Sequence, residues 1–484
     1  MLKIMRTRFA PSPTGPPHLG MLRTALFAWL AARKMNGRFV LRIDDTDRER
    51  SEKSWEEMIF DALRYLEIDW DEGPDIGGSF GPYRQSQRTE EYRKAIDRLK
   101  SDRQLYPCFC TEAELNIKRA AARASGKPYV YDGKCRSMNA SEIENKISAG
   151  EEHTWRFHVD TERFGESIEF KDLVWGDQNF RTELIGDFVC IRGDGKPTYN
   201  LVSPIDDAKM EISHIIRGAD HIPNTPLHIM IMKALGYSLP EFAHLPLIMG
   251  PGGKKLSKRD SLTGLSEIRK YLPDALINYI ALLGWTHPEG TEILSRDELI
   301  KSFSFDRVST SPSAHDPARL KYPEREHLHR MNAIDIFKSW KKSSYADGIE
   351  IDDDKHDSII KILSVVSDEL TSLSSINDEI LPITNSPTVQ ELTEAFAGFD
   401  IKEILPILHA LLKSHSENRF ERLHEIAEGS GKKTAYLPVR IALTGKRRGF
   451  EIRKLFDAFP EKELNNRLEL AIEVLENIQG CSAE

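Results

Sequence analysis

Phe9-Ala10-Pro11-Ser12-Pro13-Thr14-Gly15-Pro16-Pro17-His18-Leu19-Gly20 is the stretch that decides the fold. To its left, Arg6 to Ala10 reads as a short strand. To its right, Met21 to Met35 carries Leu22, Ala25, Leu26, Trp29 and Leu30 at helical spacing and is closed by Asn36-Gly37. Phe39 to Ile43 is the next strand. Strand, loop, helix and strand form a βαβ unit, which predicts a parallel sheet with its ligand beyond the carboxyl ends of the strands. The loop and Asp44-Asp45-Thr46-Asp47 both fall at such ends. A loop that opens a helix offers backbone N–H groups to a phosphate chain. Far along the sequence, Lys255-Leu256-Ser257-Lys258-Arg259 follows the loop Gly250-Pro251-Gly252-Gly253 and supplies cations. A site built from both halves suits a triphosphate, whose charge has to be met from several sides. The plainer readings are a Pro-rich turn with a surface histidine and a basic surface loop.

At 484 residues the chain is too long for one core and should divide into roughly three or four domains. Its composition, 40% hydrophobic and 30% charged, is that of a globular protein, and no apolar run approaches a bilayer span. The first residues lead into a strand without the apolar core of a signal peptide, so the expected compartment is the cytoplasm, with no membrane partner. The net charge of −9 argues weakly against nucleic acid, but it hides two basic tracts. One runs from Arg84 to Lys127. The other contains Lys432, Lys433, Arg440, Lys446, Arg447, Arg448, Arg453 and Lys454, while Asp347 to Asp357 is an acidic connection or helix end.

Ser51 or Ser54 is placed to cap a helix with Trp55, Met58, Ile59, Ala62, Leu63 and Leu66 on one face. From residue 86 to 192 a helix, a cysteine cluster and strands at Ser167 to Val174 and Phe188 to Arg192 read as an insertion. Strand patterns resume at Pro197 to Pro204 and Ile212 to Ile216, followed by a helix at Thr225 to Leu235; beyond Arg259 the pattern is helical. Five cysteines are too few for a disulfide framework. Cys108, Cys110 and Cys135, with Tyr131 as a fourth group, point to a structural zinc ion; free thiols are the alternative. The acidic turn at Asp44 suits magnesium, a substrate amino group or helix capping. Arg8, Arg42, Tyr199 and Arg217 are polar groups in strand-like text. A buried arginine in a sheet usually has an anionic partner, and a substrate carboxylate held by a bidentate fork is one such partner.

Arg8-Phe9-Ala10-Pro11-Ser12-Pro13-Thr14-Gly15, His18-Leu19-Gly20 and Lys255-Leu256-Ser257-Lys258-Arg259 resemble the signatures of class I aminoacyl-tRNA synthetases, of the glutamyl-tRNA synthetase subtype. Asp45-Thr46-Asp47-Arg48-Glu49-Arg50, Pro197-Thr198-Tyr199-Asn200, His244-Leu245-Pro246-Leu247 and the late segment Leu437 to Gly445 support the resemblance. It implies an α/β fold: a Rossmann-type parallel-sheet catalytic domain (residues 1–85 and 193–242) and an inserted α+β acceptor-stem-binding domain (86–192). A helical stem-contact domain (243–320) and an all-α anticodon-binding half (321–484) would follow.

The implied reaction is ligation of L-glutamate to tRNA(Glu) through a glutamyl-adenylate, using ATP with Mg2+; tRNA(Gln) is the alternative acceptor. Carried over by motif, His18, Lys255 and Lys258 would be catalytic, and Pro11, Ser12, Gly20 and Ser257 would complete the ATP site. Arg8, Ser12, Asp44, Tyr199, Ser203 and Arg217 would hold glutamate. A monomer is expected. The chain departs from the family pattern at Asp44, where glutamate is usual, at Ser203, where asparagine or another residue lining the glutamate site is expected, and over residues 317–330. A nucleotidyltransferase of the same fold would be shorter and would lack the helical half.

Overall fold

In the computed structural model, residues 4–46, 51–250, 262–351, 353–415 and 418–481 are described. They fall into two compact units. The first comprises residues 1–268 and 277–316, and the second residues 269–276 and 317–484.

The first unit is organised by short strands. β1 (Arg6–Phe9) and β2 (Arg38–Leu41) pair in parallel across the helix Leu19–Lys34. That helix is buried on almost every side, from Leu22 and Leu26 to Trp29, because it lies between the sheet and further helices. β3 (Leu105–Cys108), β4 (Thr154–Phe157) and β7 (Phe188–Ile191) form a separate antiparallel sheet. β5 (Ser167–Asp172) and β6 (Gly176–Arg181) lie between β4 and β7 in the chain but join the large sheet instead. With β8 (His214–Gly218) and β9 (Glu241–Leu245), its order is β2-β1-β8-β9-β5-β6. All its pairings are parallel except the β5–β6 hairpin at one edge. The connections leave β1 in opposite directions toward β2 and β8, so the topological switch point lies at β1 and β8, where an α/β sheet opens a crevice for a ligand. β10 (Ile248–Met249) and β11 (Ser313–Ala314) make a small parallel pair.

Two local expectations are corrected. The strand expected at Pro197 to Pro204 is the start of a helix, Tyr199–Lys209, whose residues Leu201 to Asp207 are all buried. A short run buried on every side, polar and apolar residues alike, has no periodicity by which to tell the two apart. The helix Lys53–Tyr65 takes Glu52 at its N-cap position without a side-chain cap, while Ser54 Oγ donates to Glu52.

The second unit is helical. Its core gathers Leu328, Ile336, Phe337 and Trp340 with Leu363, Leu408, Leu443, Phe456 and Leu468. These residues repeat at helical spacing on amphipathic segments such as Ala333–Lys342 and Ile401–Leu412, so one apolar face of each helix turns inward. No helix among the described residues is long and apolar enough to cross a membrane.

Candidate active site

The carboxyl ends of β1, β2 and β8 carry three arginines, and their partners differ. Arg8 on β1 donates from Nε to Asp207 Oδ1 at 3.0 Å and from Nη1 to the Ile216 carbonyl at 3.0 Å. Arg42, just after β2, donates to Asp207 Oδ1 at 2.7 Å and, through Nε and Nη2, to both oxygens of Asp44 at 2.7 and 3.3 Å. Its Nη2 also lies 3.5 Å from Ser203 Oγ. Burial disfavours charge at Arg42, but Asp44, Asp207 and Asp206 outweigh it and hold the guanidinium pKa well above its ordinary value. Burial likewise pushes Asp44 up to about 6 against the pull of Arg42, leaving the carboxylate ionised at neutral pH. For Asp207 the two guanidinium groups win over burial, and its pKa falls.

Arg217 on β8 is buried without a carboxylate. Nε donates to His244 Nε2 at 3.1 Å, Nη1 to Tyr199 hydroxyl at 3.1 Å and His228 Nδ1 at 3.3 Å, and Nη2 to Thr225 Oγ1 at 2.7 Å and the His221 carbonyl at 3.4 Å. Each of these partners is neutral. Desolvation lowers the pKa of this guanidinium, and it lowers His228 well below the usual imidazole range. A buried cation surrounded by uncharged acceptors is oriented but not neutralised, which prepares it for an anion. Tyr199 is only half-buried and its hydroxyl accepts from Arg217, which leaves the hydroxyl its own proton to donate.

His18 caps the helix Leu19–Lys34: its Nδ1 accepts from Met21 N at 3.3 Å, which leaves the proton of the neutral ring on Nε2. The side chain is open to solvent at its outer edge, yet the protein around it lowers the imidazolium pKa by desolvation. A Cβ at Gly20 would sit 3.4 Å from this ring, so glycine leaves the face of the imidazole uncovered. Pro11 is buried, with its carbonyl accepting from Asp44 N, whereas Ser12 is exposed. Lys255, Ser257 and Lys258 lie outside the described residues, as does Asp47. The chain that follows them returns to the first motif, where Gly264 N donates to the Pro17 carbonyl at 2.9 Å and Thr263 bridges to His18.

Asp45 accepts from Ser86 N at 2.8 Å and Ser86 Oγ at 2.6 Å, which ties the acidic turn to the short turn Gln85–Gln87. Among the described residues, the one group of three or more metal-ligating side chains is Cys108, Cys110 and Cys135, whose sulfurs all lie within 4.8 Å of one another. Tyr131 hydroxyl is 3.4 Å from both Cys108 and Cys110 sulfurs, and the Cys110 and Cys135 sulfurs are 3.6 Å apart. A tetrahedral zinc centre with bonds of about 2.3 Å spaces its sulfurs roughly 3.8 Å apart, so this donor set fits the ion.

The structure thus brings Arg8, Arg42, Asp44 and Ser203 into one ion-pair network and Tyr199 and Arg217 into another group. Sequence reading did not find Asp207, which lay in the misread helix, nor His228, Thr225 and Asp172. His244 was visible in His244-Leu245-Pro246-Leu247 but had no role there. Periodicity carries no signal for such residues, because their partners come from strands and helices distant in the chain.

Residues 4–322 match the family model of class I tRNA synthetases (E and Q), catalytic domain. The chain is 38% identical to glutamate–tRNA ligase 2 of Syntrophus aciditrophicus (strain SB) over 98% of both chains. It is 39% identical to glutamate–tRNA ligase of Aquifex aeolicus (strain VF5), over 97% of this chain and 99% of that one. A solved glutamate tRNA ligase from Elizabethkingia meningosepticum CCUG26117, crystallised with its amino acid, superposes with a TM-score of 0.82 at 31% identity, covering 98% of this chain and 100% of that one. The geometry at the β1–β8 crevice and the whole-length likeness agree: the chain belongs to the class I tRNA synthetases for E and Q, among the glutamate–tRNA ligases.

Proposed function

We propose that the protein activates L-glutamate with ATP and Mg2+ to glutamyl-adenylate, releases pyrophosphate, and transfers glutamate to the 3′-terminal ribose of tRNA(Glu). The observation that carries the reading is Arg217, a buried guanidinium with neutral partners only, beside the Tyr199 hydroxyl. In this reading both groups receive a substrate carboxylate. A glutamine side chain would present a neutral amide with donors to the same guanidinium, and loss of a buried charge-assisted contact costs about 2–5 kcal/mol. Arg8 already has Asp207 as its counter-ion, so its part is to shape the pocket with Ser12, Asp44 and Ser203.

His18 Nε2–H, at the mouth of the loop that begins with Pro11 and ends at Gly20, is placed to donate to a phosphate oxygen. Lys255, Ser257 and Lys258 are assigned by motif to the departing pyrophosphate. The acid–base demands are small, because the substrate carboxylate is itself the nucleophile; the protein's contribution is position and charge stabilisation. Magnesium would arrive with the nucleotide. Zinc on Cys108, Cys110 and Cys135, with Tyr131 at the fourth position, would be structural. The segment 86–192 is assigned to the acceptor stem and the helical half from 321 to the anticodon arm. There Lys432, Lys433, Tyr436, Arg440 and Arg447 line one groove, with Arg453 over the Phe420 ring at 5.4 Å. The division of residues 1–320 into catalytic, inserted and stem-contact parts is part of the same proposal, as are a monomer and a cytoplasmic location.

The test is ATP–pyrophosphate exchange and aminoacylation with separately purified glutamate and glutamine tRNAs. Exchange that requires both glutamate and tRNA, with charging of tRNA(Glu), is expected. Exchange with another amino acid, or without any, would overturn the reading. Lys258→Ala should lower activation far more than tRNA affinity.

A further inference from the structure

Behind Arg217 stands a carboxylate that never touches it. Asp172, at the end of β5, is buried, and its Oδ1 accepts from three backbone groups: Val174 N and Trp175 N at 2.9 Å each and His244 N at 3.3 Å. The carboxylate is therefore fixed in place by the turn between β5 and β6 and by β9. Its Oδ2 takes a single side-chain contact, His244 Nδ1, at 2.6 Å. Because an ionised carboxylate can only accept, Nδ1 must carry the proton, and Nε2 is left as a lone pair. That lone pair is the acceptor for Arg217 Nε at 3.1 Å. His244 is fully buried, and Trp175 Nε1 donates to its carbonyl at 2.9 Å, so neither its ring nor its backbone has solvent as an alternative.

The arrangement separates two effects that usually come together. A carboxylate placed directly on Arg217 would orient it and neutralise it, as Asp207 does for Arg8. An imidazole interposed between them keeps the orientation and moves the negative charge one ring away. Thr225 completes the set, bonding Arg217 Nη2 at 2.7 Å and lying 3.1 Å from His244 Nε2.

We propose that Asp172 and His244 are positioning residues that determine amino-acid specificity: Asp172 fixes His244 as an acceptor, and His244 orients Arg217 while leaving its charge for the substrate carboxylate. This rests on the reading that Arg217 receives that carboxylate. With the carboxylate of Asp172 replaced by an amide, Nδ1 is free to lose its proton to Nε2. The imidazole N–H would then face the guanidinium N–H, and Arg217 would lose its hold on that side. A wrong tautomer behind a correctly placed histidine is a known way to disable a site without altering its shape.

The experiment is steady-state aminoacylation by the full-length protein, varying glutamate at saturating ATP and tRNA and then ATP at saturating glutamate, with a thermal melt of each variant. Asp172→Asn should raise KM for glutamate on the order of tenfold or more, leave KM for ATP within about twofold, and narrow the preference for glutamate over glutamine. His244→Gln, whose carboxamide can donate to Asp172 and accept from Arg217, should restore most of the glutamate affinity that His244→Leu loses. A fall in kcat alone, a parallel rise of both KM values, or equal damage by His244→Gln and His244→Leu would overturn the proposal. Should Asp172→Asn not fold, the difference between the two His244 variants decides the matter. Arg217→Lys separates the layers. An unchanged glutamate KM in that variant removes the carboxylate reading itself, whereas a raised KM there with an unchanged one in Asp172→Asn removes the relay alone.

Discussion

Asp207 and Tyr199 lie on one helix, yet their side chains serve opposite ends. Asp207 is wholly buried and joins two guanidinium groups, Arg8 and Arg42, so removing its carboxylate leaves Arg42 with Asp44 alone and Arg8 with no carboxylate. Breaking a buried pair in this way costs about 3–5 kcal/mol, and Asp207→Ala should lower the urea midpoint of the first unit accordingly, with loss of activity secondary to loss of fold. Tyr199→Phe removes only a hydroxyl at the rim. We expect its unfolding midpoint to stay close to that of the parent and its KM for glutamate to rise roughly tenfold, as loss of one hydrogen bond to a charged group would give. A stability loss equal to that of Asp207→Ala would contradict the division of roles. The arginines themselves were legible in the sequence as charges in apolar text. Which of them lacked a protein counter-ion was not, because Asp207 reaches Arg8 and Arg42 only after β1, β2 and the helix Tyr199–Lys209 have packed.

At the scale of the element, the helix Leu19–Lys34 shows a residue serving both structure and chemistry. His18 occupies its N-cap and accepts from Met21 N, a contact typically worth about 1 kcal/mol. His18→Asn keeps a capping acceptor and loses the imidazole; His18→Ala loses both. If the ring donates to ATP, both variants should lose activation to a similar depth, while only the alanine variant should melt earlier. An asparagine variant with full activity would reduce His18 to a cap. The cysteine cluster makes a second prediction at this scale. Zinc should be found near one equivalent, and prolonged chelation should loosen the end of β3 and the chain that follows it, detected as faster amide exchange around Cys108 to Cys135. Less than a tenth of an equivalent in protein prepared with zinc would leave free thiols. β1, β2 and the helix between them were readable because helical spacing survives in the helix, and the Pro-rich loop and Asn36-Gly37 mark where the strands beside it stop and start. The helix Tyr199–Lys209 was not, since its buried residues, Leu201 to Asp207, are contiguous and mix polar with apolar, and Pro204 stands within it.

Taken whole, the molecule holds buried histidines and buried carboxyls that respond to pH in opposite senses, and Glu324 sets the second unit apart at the alkaline end. In the first unit His228 and His244 are kept neutral by burial, with pKa values below the ordinary 6.5. The unfolded chain therefore binds more protons than the folded one as pH falls below 6.5, and this unit loses stability in that direction. In the second unit Glu324 is buried, with both oxygens facing Leu272 N at 3.2 and 3.0 Å, and burial pushes its pKa up to about 8 against those backbone donors. Between its ordinary value of 4.5 and about 8, the folded state keeps a proton that the unfolded state releases. The sign is thus reversed: stability falls as pH rises through that window, by at most about 1.4 kcal/mol per pH unit for one proton. From about pH 5 to 6.5 the first unit should gain protection against amide exchange, and from about pH 6.5 to 8, above the ordinary range of the buried His327 in the second unit, the second unit should lose it. Glu324→Gln should remove the slope of the helical unit between about pH 6.5 and 8 and leave that of the first unit unchanged. Because the two units have separate cores, the readout must be peptide-resolved exchange rather than a single melting temperature. A Glu324→Gln protein whose helical peptides keep the parental pH slope would show that the buried carboxyl is not its source.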